Sequence, residues 1–328
     1  MTDLLSAFKG KPVAVTGAGG YIGAMLCDAL QSQGARVLRV SRRTLAEKSG
    51  MEDLRADPGQ PETWRQIVAR ADVIFHLAGN TSVYAAADNP ADSMASTVLP
   101  LNHLSEACCR AGRAPRVVYA STATVYGLAT QLPAAETAPA APATVYDTHK
   151  RLAEQQLEEA SSQEILQGVS LRLANVYGPS SSTSSAEDRG ILNKITKMAL
   201  QGSDLRLYGD GNYMRDYVYV DDVVQAFLLA GIADSANVSG RAFNVAGGAG
   251  FTVRQAFQMV ADKVNAQRGS KVQVHQAPWP DGADPIELRN FVADIVALRI
   301  ASGWTPRIAL EQGIDLLIAE FSRSATDR

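Results

Sequence analysis

The chain is poor in the residues that mark several protein classes. Its 328 residues include three cysteines and four histidines. Cys108 and Cys109 are adjacent and ill placed to pair, and neither they, Cys27 nor the histidines follow a metal-knuckle or HExxH spacing. No metal site is therefore expected. No apolar run approaches the roughly 18 residues of a membrane span, and Met1–Gly10 carries Asp3 and Lys9 in place of a signal-like apolar core. A soluble, reducing, cytoplasmic setting with no membrane partner is expected. Charge of one sign is lacking too. Lys plus Arg total 31 against 34 for Asp plus Glu, with no basic stripe, so no nucleic-acid partner is expected. One local cluster, Arg39, Arg42 and Arg43, is dense enough to address a small anion.

What is present reads as a globular protein with room for two packed units, since single cores stop growing near about 250–300 residues. Strands are expected at 13–16, 36–40, 72–77, 116–120 and 169–174, and helices at 21–33, 61–70, 92–112 and 146–160, with a kink at Pro100. This alternation predicts βαβ units and a parallel sheet. Beyond Gly178-Pro179 the character changes. Residues 180–190 are polar and read as a loop. Helices follow at 191–201, 217–230, 252–266 and 309–322, and strands at 205–208, 242–245 and 271–274. We divide the chain into a dinucleotide-binding unit, 1–178, and a substrate unit, 179–328, with about 215–250 returning to the first.

Gly17, Gly20 and Gly23 lie between the first strand and the first helix. Glycines there permit a tight turn and let backbone N–H groups approach a pyrophosphate, helped by the helix dipole. An α/β fold follows: a Rossmann-like doubly wound parallel sheet with a smaller mixed C-terminal domain. Tyr21 and Ile22, within the turn, and Leu77, Ala78 and Gly79, after the fourth strand, are expected against the cofactor. The second strand ends in Ser41-Arg42-Arg43. The acid that would hold both ribose hydroxyls of NAD is missing, whereas a hydroxyl beside guanidinium groups suits a 2′-phosphate. NADP is expected, with NAD as the alternative. Asp53 and Leu54 are candidates for the adenine amino group and ring face.

Tyr146 and Lys150 share a helix face, and Thr122 follows the fifth strand at the same sheet edge. A phenol with a pKa near about 10 is a poor base at neutral pH unless a cation stabilises its anion. Lys150 fits that need, Tyr146 would exchange a proton with a carbinol or ketone oxygen, and Thr122 would bond that oxygen. Ser82 and Tyr84 are placed to face a substrate. Tyr126 is equally suited to ring packing and ligand contact. His76 is expected to be packed inside its strand, and His149 to lie at the surface or an interface.

Taken together, TGAGGYIG, Asp53-Leu54, HLAG at 76–79, STATVYG at 121–127, Tyr146-x-x-x-Lys150, LRLANVYGP at 171–179 and RDYVYVDDV at 215–223 resemble the extended short-chain dehydrogenase/reductase family, in its nucleotide-sugar epimerase/dehydratase branch. The resemblance spans about 11–320. It implies a nucleoside-diphosphate sugar substrate, with Asn175 and Arg215 at the diphosphate and 191–208 on the base. It also implies a homodimer through helices 92–112 and 146–160. The sequence departs from the family at Thr97, where an Asn is common, and at Pro100, where a small residue is usual. The usual C-terminal substrate arginine is missing, and Arg289 is the nearest alternative donor. Ala123 and Thr124 stand where a 4,6-dehydratase carries Asp-Glu, which disfavours water loss. The leading expectation is a 4-epimerase that oxidises C4 and returns hydride to the opposite face. The alternative is an NADPH-dependent 4-ketoreductase of an NDP-4-keto-6-deoxy sugar.

Overall fold

The computed structural model describes residues 7–128, 131–182, 184 and 190–326; most of the expected polar loop 180–190 lies outside them. The strands in chain order are β1 (Pro12–Thr16), β2 (Arg36–Ser41), β3 (Met51–Arg55), β4 (Val73–His76), β5 (Arg116–Thr122), β6 (Gln167–Leu173), β7 (Asn175–Tyr177), β8 (Leu205–Tyr208), β9 (Met214–Tyr219), β10 (Arg241–Val245), β11 (Gly250–Thr252) and β12 (Val274–Ala277). Among the described residues they form three sheets. The largest is all parallel, in the order β10-β6-β5-β4-β1-β2-β3. The others are β11-β9-β7 and β12-β8.

The central strands are apolar on both faces, as a covered parallel sheet requires. Val13, Val15, Val37, Phe75, Val118 and Phe243 pack on one side with Leu26 and Leu30 of helix Tyr21–Ser32 and Phe227 of helix Val220–Ile232. Ala14, Leu38, Ile74, Val117 and Tyr119 pack on the other with Trp64, Leu104 and Leu157, from helices Pro61–Arg70, Leu99–Ala111 and Val145–Ser162. A second core gathers Leu192, Ile195, Leu207, Tyr217, Phe257, Val260 and Ile314 from the smaller sheets and helices Ile191–Leu200, Val253–Arg268 and Leu310–Thr326.

Several expectations shift. The helix expected over 92–112 is two helices, Pro90–Thr97 and Leu99–Ala111, because Pro100 has no N–H to continue the first and suits the start of the second. The helix expected from 217 begins at Val220. Residues 214–219 are instead β9, the middle strand of its small sheet, and a short apolar run does not distinguish buried strand from helix by its period. The strand expected at 271–274 lies at Val274–Ala277, set by pairing with β8.

A buried polar network locks the carboxyl ends of the sheet. Glu154 accepts from Arg172 Nε and Nη2 at 3.0 and 2.8 Å and from Ser121 Oγ at 2.5 Å. Arg172 Nη1 donates to Tyr126 OH at 2.9 Å, and that hydroxyl donates to Asn244 Oδ1 at 2.8 Å. The 2% exposed Glu154 thus ties helix Val145–Ser162 to β5, β6 and β10. Glu154→Ala is expected to destabilise the protein by about 3–5 kcal/mol, because the Arg172 charge stays buried without its counter-ion. Urea denaturation checks this, and a loss near zero refutes it.

Candidate active site

β1 and β4 are neighbours whose chains depart in opposite directions across the sheet, so their carboxyl ends frame the crevice where such folds bind ligands. The glycine turn sits there. Gly17 has a φ of +70°, and a Cβ on it would stand 2.9 Å from Ala78 N. A Cβ on Gly23 would stand 2.2 Å from Gly17 O. Helix Tyr21–Ser32 follows the N-cap Gly20, which offers no side-chain cap. Leu77 N and Ala78 N donate to Thr16 O and Oγ1, each at 3.2 Å, which holds Leu77–Gly79 beside the turn. A Cβ on Gly79 would lie 3.8 Å from Lys150 Nζ. The turn, Gly79 and Lys150 therefore lie in sequence along one path. Tyr21 and Ile22 contribute main chain to it, while their side chains turn inward: Tyr21 OH donates to Gly178 O at 2.6 Å, and Ile22 packs between the two cores.

At the end of β2, Arg42 and Arg43 are exposed and Ser41 Oγ accepts the Arg43 N–H at 3.1 Å. Arg39 leaves the expected anion cluster. Its side chain is buried and donates to both Asp53 oxygens, at 2.6 and 2.7 Å, because a cation inside a strand must find a counter-ion. Asp53 is therefore engaged by Arg39 on both oxygens, and Leu54 packs on the core beneath.

Thr122, Tyr146 and Lys150 converge at the end of β5. Lys150 Nζ donates to Ala120 O at 2.8 Å and lies 4.9 Å from the Tyr119 ring centre and 5.9 Å from that of Tyr146. Burial lowers its pKa to about 8, against the attraction of Glu154. Thr122 Oγ1 lies 2.9 Å from Thr124 Oγ1, and Thr124 donates to the buried Asp147 carboxylate. His76 is packed as expected. It is held by Thr16 at 2.7 Å, and burial followed by the Lys150 charge lowers its pKa to about 3. His149 is not at the surface. It is buried where helices Pro90–Thr97 and Val145–Ser162 meet, 2.9 Å from Ser93 Oγ. Tyr126 packs: it is buried, bonded to Asn244 and stacked on Phe291.

The structure also holds a cavity of about 490 Å³. Asn175, Arg215 and Arg289 line it, with Tyr84, Tyr208, Tyr213 and Trp279 among its walls. Ser82 does not line it. Its hydroxyl accepts from Ala85 N at 3.2 Å and caps helix Val83–Asp88. Asn175 Nδ2 donates to Asp216 O at 3.0 Å. Arg215 is 6% exposed and donates to the carbonyls of Met214, Glu287 and Arg289. Burial and then the Arg289 charge lower its pKa to about 10, and burial lowers that of Arg289 as well. Among the described residues neither guanidinium forms an ion pair. The Arg289 charge also lowers the pKa of Asp147, the residue after Tyr146, although Thr122, Tyr146 and Lys150 do not line the cavity.

The NAD dependent epimerase/dehydratase family matches over residues 13–246. The chain belongs to that family and is an enzyme. The UDP-glucose 4-epimerase of Mycolicibacterium smegmatis is 31% identical over 320 residues, 94% of this chain and 98% of its own. Two solved structures share the fold throughout. That of UDP-glucose 4-epimerase from Thermotoga maritima with UDP-glucose has a TM-score of 0.84 at 28% identity, over 95% of this chain and 99% of its own. That of Thermus thermophilus UDP-glucose 4-epimerase with NAD has 0.80 at 29%, over 94% and 98%.

A family dinucleotide fits the residues present, because the crevice offers glycines where a Cβ would collide and a helix N-terminus without a side-chain cap. Three cavity or site residues escaped sequence reasoning. Trp279 stacks on Tyr208 with ring centres 5.7 Å apart and stands near Tyr213. A tryptophan inside the Pro-rich turn PWPDG was its signal. Thr124 and Asp147 come together only through folding, 23 residues apart. Burying Lys150 opposes stability, so Lys150→Met is expected to stabilise the cofactor-free fold at pH 7 by about 1–3 kcal/mol. The sign follows from a folded pKa held near 8 against an ordinary 10.5. The penalty is full below pH about 8 and fades as pH rises toward 10.5. Thermal unfolding at both ends of that window checks it, and equal gains at both refute it.

Proposed function

We propose that this enzyme is a nicotinamide-dependent 4-epimerase of a nucleoside-diphosphate sugar. The observation that carries this reading is the pair of guanidinium groups of buried Arg215 and half-buried Arg289, which line the cavity without an ion-pair partner among the described residues. Such charges need an anion, and a diphosphate offers several oxygens to such donors. Trp279 and Tyr208 offer flat apolar faces suited to a base. The UDP sugars of the relatives make UDP-glucose the first substrate to try.

The residues then divide the work. Gly17, Gly20 and Gly23, with Leu77–Gly79, would hold the dinucleotide. When bound, the nicotinamide supplies the redox chemistry, accepting hydride from C4 and returning it. Tyr146 takes the C4 hydroxyl proton and gives the same proton back, so no outside acid is consumed. Lys150, protonated below pH about 8, favours the phenolate. Thr122 holds the C4 oxygen. Arg215, Arg289 and Asn175 hold the diphosphate while the sugar turns. Residues up to about 178 thus serve the cofactor and most of the remainder the substrate. We extend the reading to a homodimer through helices Leu99–Ala111 and Val145–Ser162, each of which carries an exposed leucine, Leu99 and Leu152.

The acid-free edge at Ser41 and Arg42 supports NADP over NAD. It also favours a second reading, in which the same groups reduce a 4-keto sugar nucleotide once with NADPH. Incubation with UDP-glucose, followed by NMR, is expected to show exchange at C4 with no net change in cofactor. Stoichiometric NADPH consumption on UDP-4-keto-6-deoxyglucose without isomer exchange overturns the epimerase. Tyr146→Phe is expected to lower kcat by about 100-fold or more while cofactor affinity changes less than about twofold; near-normal turnover removes its proton-transfer role. Arg42→Ala is expected to weaken NADP by about tenfold more than NAD in titrations of nicotinamide binding, and equal weakening defeats the 2′-phosphate assignment.

A further inference from the structure

Thr122 is the end of a hydrogen-bond chain that the proposed reaction does not by itself demand. Its Oγ1 lies 2.9 Å from Thr124 Oγ1 and accepts the Thr124 backbone N–H at 3.2 Å. The Thr124 hydroxyl donates to Asp147 Oδ1. Asp147 follows Tyr146 on the first turn of its helix and is fully buried. A threonine hydroxyl has one proton and two lone pairs. Once Thr124 gives its proton to the carboxylate, it can only accept from Thr122. The Thr122 proton is then committed inward and one lone pair is taken by the backbone. What Thr122 offers a substrate is its second lone pair.

The direction of the chain depends on Asp147 remaining an anion. Burial pushes its carboxyl above the usual range, while Thr124, Thr144 at the helix start, and the Arg289 charge from the loop beyond residues 285–288 pull it back. Tyr146 and Lys150 lie on the same helix, with the Lys150 ammonium held at Ala120 O.

We propose that Asp147, acting through Thr124, fixes Thr122 as a hydrogen-bond acceptor, so that the site selects a hydroxyl over a ketone at the reacting carbon. The proposal rests on Thr122 and Tyr146 being the groups that meet the reacting oxygen. While Tyr146 is protonated, a C4 hydroxyl accepts from Tyr146 and donates into the Thr122 lone pair; in the reaction that one proton turns to the Tyr146 phenolate. A ketone oxygen has no proton to give and meets that lone pair unfavourably, keeping only Tyr146 as donor. Asp147 and Thr124 act through Thr122 and are positioning residues. The polarity suits an enzyme whose substrate and product are both alcohols, because it favours the bound alcohol over the bound ketone formed in between.

The test measures binding in pairs that cannot react: UDP-glucose with the protein loaded with reduced nicotinamide, and UDP-4-keto-6-deoxyglucose with the protein loaded with oxidised nicotinamide. Thr124→Val keeps the shape but releases the Thr122 proton. Calorimetry is expected to show UDP-glucose weakened by about fivefold and the keto sugar tightened by about fivefold. Thr124→Ser, which keeps the hydroxyl, is expected to retain the native order. Movement of both sugars in the same direction, as a packing defect would produce, overturns the proposal, as does a Thr124→Val protein with both affinities unchanged. Those outcomes leave the nucleotide-sugar reading intact. Failure of the native protein to bind either sugar removes both.

Discussion

The ion pair between Arg172 and Glu154 is the constraint on which the site depends. Burial pulls the Arg172 pKa down, but the Glu154 hydrogen bonds and charge outweigh it and hold that pKa above the ordinary range. Removing Glu154 would leave the Arg172 charge buried without a counter-ion, whereas Glu154 has a second partner in Arg151 at 3.1 Å. Their partners lie next to residues of the proposed chemistry. Ser121, which donates to Glu154, precedes Thr122, and Glu154 lies one helical turn beyond Lys150. Tyr126 and Asn244 extend the network to β10, so a strand from the second half of the chain is locked to the sheet edge through the same charge pair. The separation between β5 and helix Val145–Ser162 is therefore fixed by a buried contact through Ser121 and Glu154.

That rigidity allows the protein to hold a lysine where it is unfavourable. Lys150 is buried, bonded to a backbone carbonyl and close to Gly79. Glu154 is the nearby carboxylate that favours its charge, yet both Glu154 oxygens are already engaged by Arg172 and Ser121. Burial outweighs that attraction, and the Lys150 pKa falls to about 8. A lysine so placed is a strong stabiliser of a neighbouring phenolate because little else neutralises it. The same reasoning applies to Arg215 and Arg289, whose donors meet carbonyls and each other's field but no carboxylate ion pair among the described residues.

The parallel sheet was legible because its strands are short apolar runs separated by helices of ordinary length, and because the glycine turn fixes where the first strand stops. The segments that follow Gly178 were harder to read. β9 looks like the start of helix Val220–Ile232, since a short strand buried by two neighbours has no polar alternation. Thr122, Tyr146 and Lys150 could be found from spacing because two of them share one helix. Asp147 could not, for its meaning depends on Thr124, and only the 3₁₀ turn Ala123–Tyr126 brings that hydroxyl to it. Arg39 misled for the opposite reason. A strand alternates its faces, and that arginine points to Asp53 on the neighbouring strand while Arg42 and Arg43 lie beyond the strand end.

Charge and hydrogen-bond polarity together describe a ligand more narrowly than volume does. The cavity of about 490 Å³ would admit many small molecules. Two guanidinium groups without an ion-pair partner among the described residues favour an anion there, and the stacked Trp279 and Tyr208 add a flat apolar surface on its wall. Arg289 joins the two ends of the site, since it lines the cavity and also acts on Asp147. An anion bound at Arg289 would draw that positive charge toward itself and weaken its hold on the Asp147 carboxylate. Thr124 and Thr144 would then carry more of the task of keeping Asp147 ionised.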